Sequence, residues 1–235
     1  MRIKVINPNT SASMTAIIGD CARAAAGPGV IVEAVSGGTG PESIESHYDD
    51  ALSAPGVLAQ VAAGEQDGVD AYVIACFSDP ALLGARELAA GPVVGIAEAA
   101  MRTAAYLGRG FSVVTTLPRS APHTVELAQA YGVARQCCGV HATGVAVLEL
   151  ETDPEAYEKV LAQARAALIA DGSDAIVLGC AGMADLAARL ASDLGVPVVD
   201  GVAAATVTAR SLVELGLKTG KAGEFDYPLP KAFAG

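Results

Sequence analysis

The segment Asp70-Ala71-Tyr72-Val73-Ile74-Ala75-Cys76 returns as Asp174-Ala175-Ile176-Val177-Leu178-Gly179-Cys180, 104 residues further along a chain of 235. Two more blocks repeat in the same order. Pro92-Val93-Val94 is answered by Pro197-Val198-Val199, and Ala99-Ala100-Met101-Arg102-Thr103-Ala104 by Ala204-Ala205-Thr206-Val207-Thr208-Ala209, now at a spacing one residue longer. Matched blocks in matched order mark an internal duplication. Whatever the first half folds into, the second half folds into as well.

The rhythm of each half says what that is. Strand-like runs at residues 3–7, 30–35 and 71–76 alternate with helix-like stretches, a βαβαβ pattern. The first helix is expected to begin near Thr10-Ser11-Ala12-Ser13, whose hydroxyls can cap it, and to stop at Gly27-Pro28-Gly29. The second is expected over 53–66. The pattern resumes with a strand at 111–115, a helix at 121–131, an apolar stretch at 140–147, a helix at 154–170 and a strand at 175–180. Hydrophobic residues make up 52% of the chain but aromatics only 4%, with no Trp, so the interior is packed from Ala, Val, Leu and Ile, as in helices layered on buried parallel strands.

The expected fold is α/β: two similar Rossmann-like three-layer lobes with parallel sheets, related by a pseudo-twofold axis. The first lobe is expected to take residues 1–97 plus 207–235 and the second 98–206. No low-complexity linker separates them, and a helix over 98–107 is expected to carry the chain across.

Fifteen basic against 26 acidic residues give a net charge of −11, and no basic stripe interleaved with aromatics occurs, so a nucleic-acid partner is not expected. The opening residues lack the apolar run of a signal peptide and no stretch of 18 apolar residues follows, which excludes a membrane partner and predicts a soluble, cytoplasmic protein. Five cysteines, an odd number, predict free thiols.

Two of those thiols occupy equivalent places. Duplicated α/β halves pack about a pseudo-twofold axis, and open parallel sheets bind ligands beyond their carboxyl edges. Cys76 and Cys180, each closing a strand, would then face each other. One thiolate and one thiol on opposite sides of a carbon beside a carbonyl can remove a proton from one face and return one to the other. With each sulfur about 3–3.5 Å from that carbon, the pair would stand roughly 6–7 Å apart. Backbone N–H groups after each strand could receive the charge on the enolate oxygen. A helix start after each cysteine, at Ser78-Asp79-Pro80 and at Gly182-Met183, favours the thiolate, while burial and Asp79 oppose it. The competing reading is packing: a strand-end cysteine is commonly an ordinary buried residue, and duplication preserves packing residues too. Against that, Cys21, Cys137 and Cys138 have no counterpart in the other half.

Four blocks, Ile6-Asn7-Pro8-Asn9-Thr10, Gly40-Pro41-Glu42-Ser43-Ile44-Glu45, Ala75-Cys76-Phe77-Ser78-Asp79-Pro80 and Gly179-Cys180-Ala181-Gly182-Met183, resemble the aspartate/glutamate/hydantoin racemase family, and within it the hydantoin and allantoin racemases most closely. The resemblance implies a two-lobed α/β fold, no cofactor, and Cys76 and Cys180 as base and acid for opposite enantiomers. Family members that act on amino acids follow the first cysteine with Asn-Thr and the second with Thr-His. Here Phe77-Ser78 and Ala181-Gly182 stand there, which points away from a zwitterion toward a neutral ring with amide donors and acceptors.

The function so implied is a cofactor-independent, two-base racemase interconverting D- and L-5-substituted hydantoins, allantoin included. Besides the two cysteines, the expected substrate contacts are Asn9, Phe77, Ser78, Asp79, Thr115, Thr116, Ala181 and Gly182, with Gly40 and Ser43 in a flexible lid. Asn9 and Thr115-Thr116 are related by the repeat, and each is equally a helix cap or turn former. Gly37-Gly38-Thr39-Gly40-Pro41 lacks the Lys-Ser/Thr ending of a phosphate loop. Three histidines and Cys137-Cys138 complete no tetrahedral set, so no metal is expected. A tail over 225–233, with Tyr227-Pro228-Leu229-Pro230, suggests a homo-oligomer.

Two other readings stay open. One is another reaction of the same superfamily: amino-acid racemisation, decarboxylation, which needs one cysteine only, or dicarboxylate isomerisation, for which Arg86 and Arg102 are the available cations. The other is a non-catalytic, two-lobed small-molecule binding protein.

Overall fold

The computed structural model describes residues 1–231. Its first half runs β1 (Arg2–Asn7), α1 (Ala12–Ala26), β2 (Ile31–Ser36), α2 (His47–Gln66), β3 (Ala71–Ile74), α3 (Leu82–Leu88), β4 (Val93–Gly95) and α4 (Ile96–Ala104). The second runs β5 (Phe111–Thr115), α5 (Ala121–Ala130), β6 (Cys137–Ala142), α6 (Glu149–Thr152), α7 (Ala156–Asp171), β7 (Ala175–Leu178), α8 (Ala187–Leu194), β8 (Val198–Val199) and α9 (Gly201–Glu214). Both sheets are four-stranded and parallel, ordered β2-β1-β3-β4 and β6-β5-β7-β8. The same strand order twice is the duplication in three dimensions, and the α/β two-lobed architecture is as expected.

One apolar cluster holds the halves together. It contains Ile3, Val5 and Val73 of the first sheet, Phe111, Val113 and Val177 of the second, and Ile18, Ala22, Met101, Val202 and Ala205 from the helices between them. Two smaller clusters cover the outer faces, around Val57, Val61 and Tyr72 on one side and Val160, Ala164 and Ile176 on the other. The inner helices are exchanged. α4 leaves β4 of the first sheet and packs on β7 and β8 of the second, while α9 leaves β8 and packs on β1, β3 and β4 of the first. Each exchange buries a row of small side chains, Ala97, Ala100 and Ala104 on α4 and Ala205 and Ala209 on α9, which lets helix and strand backbones approach closely.

Several boundaries differ from the sequence reading. α1 does begin where expected, with Ser11 Oγ accepting the N–H of Met14. α2, expected from residue 53, starts at His47. Ser46 caps it by accepting from the Asp49 N–H and donating its own proton to Asp49, and Pro55 is carried inside the helix rather than at its start. The apolar stretch at 140–147 is strand only to Ala142, with β6 beginning at Cys137. β3 and β7 end at Ile74 and Leu178, but the ladder continues one residue further in each half, Ala75 N–H to Ile6 O and Gly179 N–H to Val114 O, both at 2.8 Å. Cys76 and Cys180 are therefore the first residues beyond the sheets. Of the tail at 225–233, residues 232 and 233 lie outside the described residues; Tyr227 and Leu229 are exposed.

Candidate active site

Strand ends of both sheets, the first turns of α2 and α5, and α1 enclose a cavity of about 210 Å³. Cys76 and Cys180 both line it, together with the expected contacts Asn9, Phe77, Ser78, Thr115, Thr116 and Ala181. Gly40, Ser43, Asp79 and Gly182 lie outside its wall. The loop carrying Gly40 and Ser43 is tied down by Thr10 N–H to Pro41 O at 3.0 Å and Gly37 N–H to Asn7 O at 2.8 Å.

The register explains which threonine matches which asparagine. Ile6 pairs with Ile74 and Val114 with Leu178, so Thr115 is the counterpart of Asn7, one position beyond, rather than of Asn9. Asn9 is oriented by a local network: its Oδ1 accepts from Asn7 Nδ2 at 2.7 Å and from Ser11 N–H at 2.9 Å, and its Nδ2 faces Met14 Sδ at 3.2 Å. An amide nitrogen has two protons, so Asn9 keeps one donor for the cavity. Thr115 Oγ donates to Gly179 O at 3.2 Å, and the glycine is required there: a Cβ on residue 179 would come within 2.9 Å of Thr115 Cβ.

Asp79 has a different task. Its carboxylate accepts from Ala97 N–H at 3.1 Å and Glu98 N–H at 3.0 Å, capping α4. In the second half Asp200 caps α9 by accepting from Val202 and Ala203, the equivalent amides of the repeat. Asp79 thus does from a distance for α4 what Asp200 does locally for α9. Residue 95, which takes the place of Asp200, is glycine because a Cβ there would overlap the Asp79 carboxylate. To reach this position Asp79 and Ala81 adopt positive φ angles of 48° and 58°, and α3 begins only at Leu82, so no helix start lies directly behind Cys76. Burial raises the Asp79 carboxyl to about 6, against hydrogen bonds from Tyr131 and the two amides that lower it.

The two sulfurs are held alike. Each faces the backbone N–H of the residue two places further, Ser78 and Gly182, an interaction that favours the thiolate. Gly182 is thereby placed beside Cys180 even though it does not line the cavity. Burial wins over these bonds. It pushes the Cys76 thiol up to about 11, with Asp50 and Asp79 adding negative charge, and the Cys180 thiol up to about 12, with Cys76 and Glu45 adding. Both sulfurs open onto the cavity while sitting deep in the protein. Cys76 further contacts Ser78 Oγ at 3.3 Å, and Ser78 donates to Asp50 Oδ1 at 2.5 Å.

Sequence reasoning missed the wall formed by Ile44, Glu45, His47 and Asp50 on one side and Arg119, His123 and Val147 on the other. The readable signal was the capping box Ser46-His47-Tyr48-Asp49: a helix starting at His47 puts His47 and Asp50 on one face, three residues apart. Glu45 Oε1 accepts from Val147 N–H at 2.8 Å across the lobes. The His47 and His123 rings meet edge to face at 5.1 Å, and His123 Nε2 is buried with no partner among the described residues. Arg86 and Arg102, considered above as carboxylate partners, are both committed to Glu98 instead. Among the described residues no group of three or more metal-ligating side chains is assembled, and no helix is long and apolar enough to cross a membrane.

A family model described as Asp/Glu/hydantoin racemase matches residues 3–209. The chain is 48% identical over 236 residues to a hydantoin racemase of Rhizobium meliloti, covering 100% of this chain and 98% of the relative. It is 47% identical to a hydantoin racemase of Pseudomonas sp. (strain NS671), covering 100% and 95%. Its structure is similar to that of an allantoin racemase from Klebsiella pneumoniae, with a TM-score of 0.98 and 52% identity over 100% of this chain and 96% of the other.

Proposed function

The chain belongs to the Asp/Glu/hydantoin racemase family and is a racemase, and from that premise we propose that it interconverts the enantiomers of 5-substituted hydantoins, allantoin among them, with Cys76 and Cys180 as the two proton-transfer groups. The observation that carries this reading is that two cysteines equivalent in the repeat open onto one cavity. At about 210 Å³ the cavity is smaller than the roughly 300–1,000 Å³ of drug-sized ligand sites, the size for a five-membered ring with a short substituent.

The chemistry follows from C5 lying beside the C4 carbonyl of the ring, with the N1 amide nitrogen on its other side. A thiolate on one side takes the C5 proton, the electron pair moves into the adjacent carbonyl, and the thiol on the other side protonates C5 from the opposite face. Asn9 Nδ2 is the donor best placed to meet the enolate oxygen or a ring carbonyl. Phe77 and Ala181, in place of polar residues, and the ring-sized wall of Ile44, Met14 and Val147 suit a neutral ring more than an α-amino acid.

We also read the protein as cytoplasmic and as a homo-oligomer, the latter on the exposed Tyr227 and Leu229 of the tail; sedimentation of the purified protein tests the assembly. For the activity, optical rotation of single-enantiomer 5-alkylhydantoins and of allantoin should decay to zero with the purified protein, with no decay of L-aspartate or L-glutamate. Decay with the amino acids and none with the hydantoins would replace this substrate class.

A further inference from the structure

The two thiols are equivalent in the repeat and unequal in their surroundings. Gly182, beside Cys180, brings no side chain. Ser78, beside Cys76, brings a hydroxyl that lies 3.3 Å from Cys76 Sγ and 2.5 Å from Asp50 Oδ1. A serine has one O–H proton, and an ionised carboxylate only accepts, so at 2.5 Å that proton is directed at Asp50. What Ser78 Oγ then presents to Cys76 is a lone pair. The partner that fits it is the S–H of a thiol, not a thiolate.

We propose that Asp50 is a positioning residue: by taking the Ser78 hydroxyl proton it makes Ser78 Oγ an acceptor for the Cys76 S–H, and so stabilises the protonated form of Cys76. The proposal rests on the reading of the two cysteines as acid and base. In the form with Cys76 as thiol and Cys180 as thiolate, the Cys180 thiolate forms its S–H bond as the C5–H bond breaks and the electron pair enters the enolate. The Cys76 S–H then gives its proton to the opposite face of C5 as that pair returns. Cys180 is left as thiol and Cys76 as thiolate, and the opposite enantiomer reacts with this second form. In that form the Ser78 hydroxyl turns from Asp50 to the Cys76 sulfur, so the Ser78 proton moves between two acceptors once in each cycle.

Several charged groups surround Cys76. They are Asp50 on α2, Asp79 on its own loop and Cys180 across the cavity, with Glu45, His47, Arg119 and His123 on the wall. Asp50 acts on Cys76 both by its charge and by its hold on Ser78, and a double-mutant cycle separates the two. The measurement is the rate of Cys76 alkylation by iodoacetamide, read by peptide mass spectrometry at about pH 7 to 9, where the rate follows the thiolate fraction. A Cys180→Ser background leaves one thiol of the pair to titrate.

Asp50→Ala should speed Cys76 alkylation about tenfold, the equivalent of about one pH unit. In a Ser78→Ala background the same substitution should speed it by no more than about threefold, the part due to charge alone. An equal acceleration with and without the Ser78 hydroxyl, or none in either, overturns the proposal. No substrate enters this test, so its failure and a failure to racemise hydantoins are separate results.

Discussion

Tyr131 donates its hydroxyl proton to Asp79 Oδ2 at 2.6 Å, and this bond ties the end of α5 in the second lobe to the loop that follows Cys76 in the first. Asp79 is fully committed by it, since the same carboxylate caps α4. Burial raises the Tyr131 hydroxyl above its ordinary range, as does the neighbouring Asp79 charge, so the tyrosine remains a donor at every working pH. Tyr131→Phe removes this donor and leaves Asp79 buried with two amide partners. It should lower stability by about 1–3 kcal/mol, read from urea midpoints.

The pH dependence of stability has a definite sign at Asp79. Its carboxyl titrates at about 6 in the folded protein against 3.8 as the ordinary value, so the folded state binds more protons in that interval and stability falls as pH rises from about 4 through 6. Asp79→Asn keeps an acceptor for the amides and loses the titration. The wild type should therefore lose stability relative to Asp79→Asn between pH 4 and 7, by up to about 3 kcal/mol; denaturant melts of both proteins at the two pH values measure it, and parallel curves would remove the assignment.

Gly179 holds the second cysteine in place. Ala at 179 would press its Cβ to within 2.9 Å of Thr115 Cβ and 3.1 Å of Thr115 Cα. Because the contact includes backbone, it is not relieved by a rotamer change, and Gly179→Ala should cost about 1–3 kcal/mol of stability. The same displacement shifts Cys180, so the activity of the folded fraction should fall by about tenfold or more. Ala75→Gly in the other half is the control, expected to cost stability with a smaller loss of activity.

Racemisation should depend on alkalinity. The reactive form carries one thiolate, and burial has raised both thiols, to about 11 and about 12; the pair titrates as a unit. The singly ionised fraction then rises about tenfold per pH unit below the first ionisation. After correction for ionisation of the substrate, kcat/KM should climb between pH 7 and 9 with a logarithmic slope near one. A flat or falling profile would mean that substrate or neighbouring groups reset the thiol pair.

The repeat made both the fold and the cysteine pair legible. A block ending in Cys76 and again in Cys180 fixed two equivalent strand ends, and short apolar runs with Ser11 as cap fixed the first βα unit. What escaped was set by long-range partners. Asp79 reads as a site residue beside a cysteine, yet its hydrogen bonds go to amides 18 and 19 residues away and to Tyr131, none of them visible as local pattern. The expected start of α2 at residue 53 lies within the helix, which begins at His47, and this hid the first turn that carries His47 and Asp50 to the cavity. Arg86 and Arg102 looked like free cations because Glu98, which binds both, lies four residues before one and twelve after the other.

Deuterium incorporation at C5 in D₂O distinguishes proton transfer by Cys76 at one face of the carbon from proton transfer by Cys180 at the other. Each enantiomer of a 5-alkylhydantoin is incubated with wild type, Cys76→Ala and Cys180→Ala, with the spontaneous rate subtracted. Wild type should incorporate deuterium into both enantiomers with inversion. Each variant should lose racemisation by about a thousandfold or more, with any residual exchange confined to one enantiomer, with retention, and to opposite enantiomers in the two variants. Racemisation at the wild-type rate by either variant, or exchange of the same enantiomer by both, would mean that the two cysteines do not serve opposite faces.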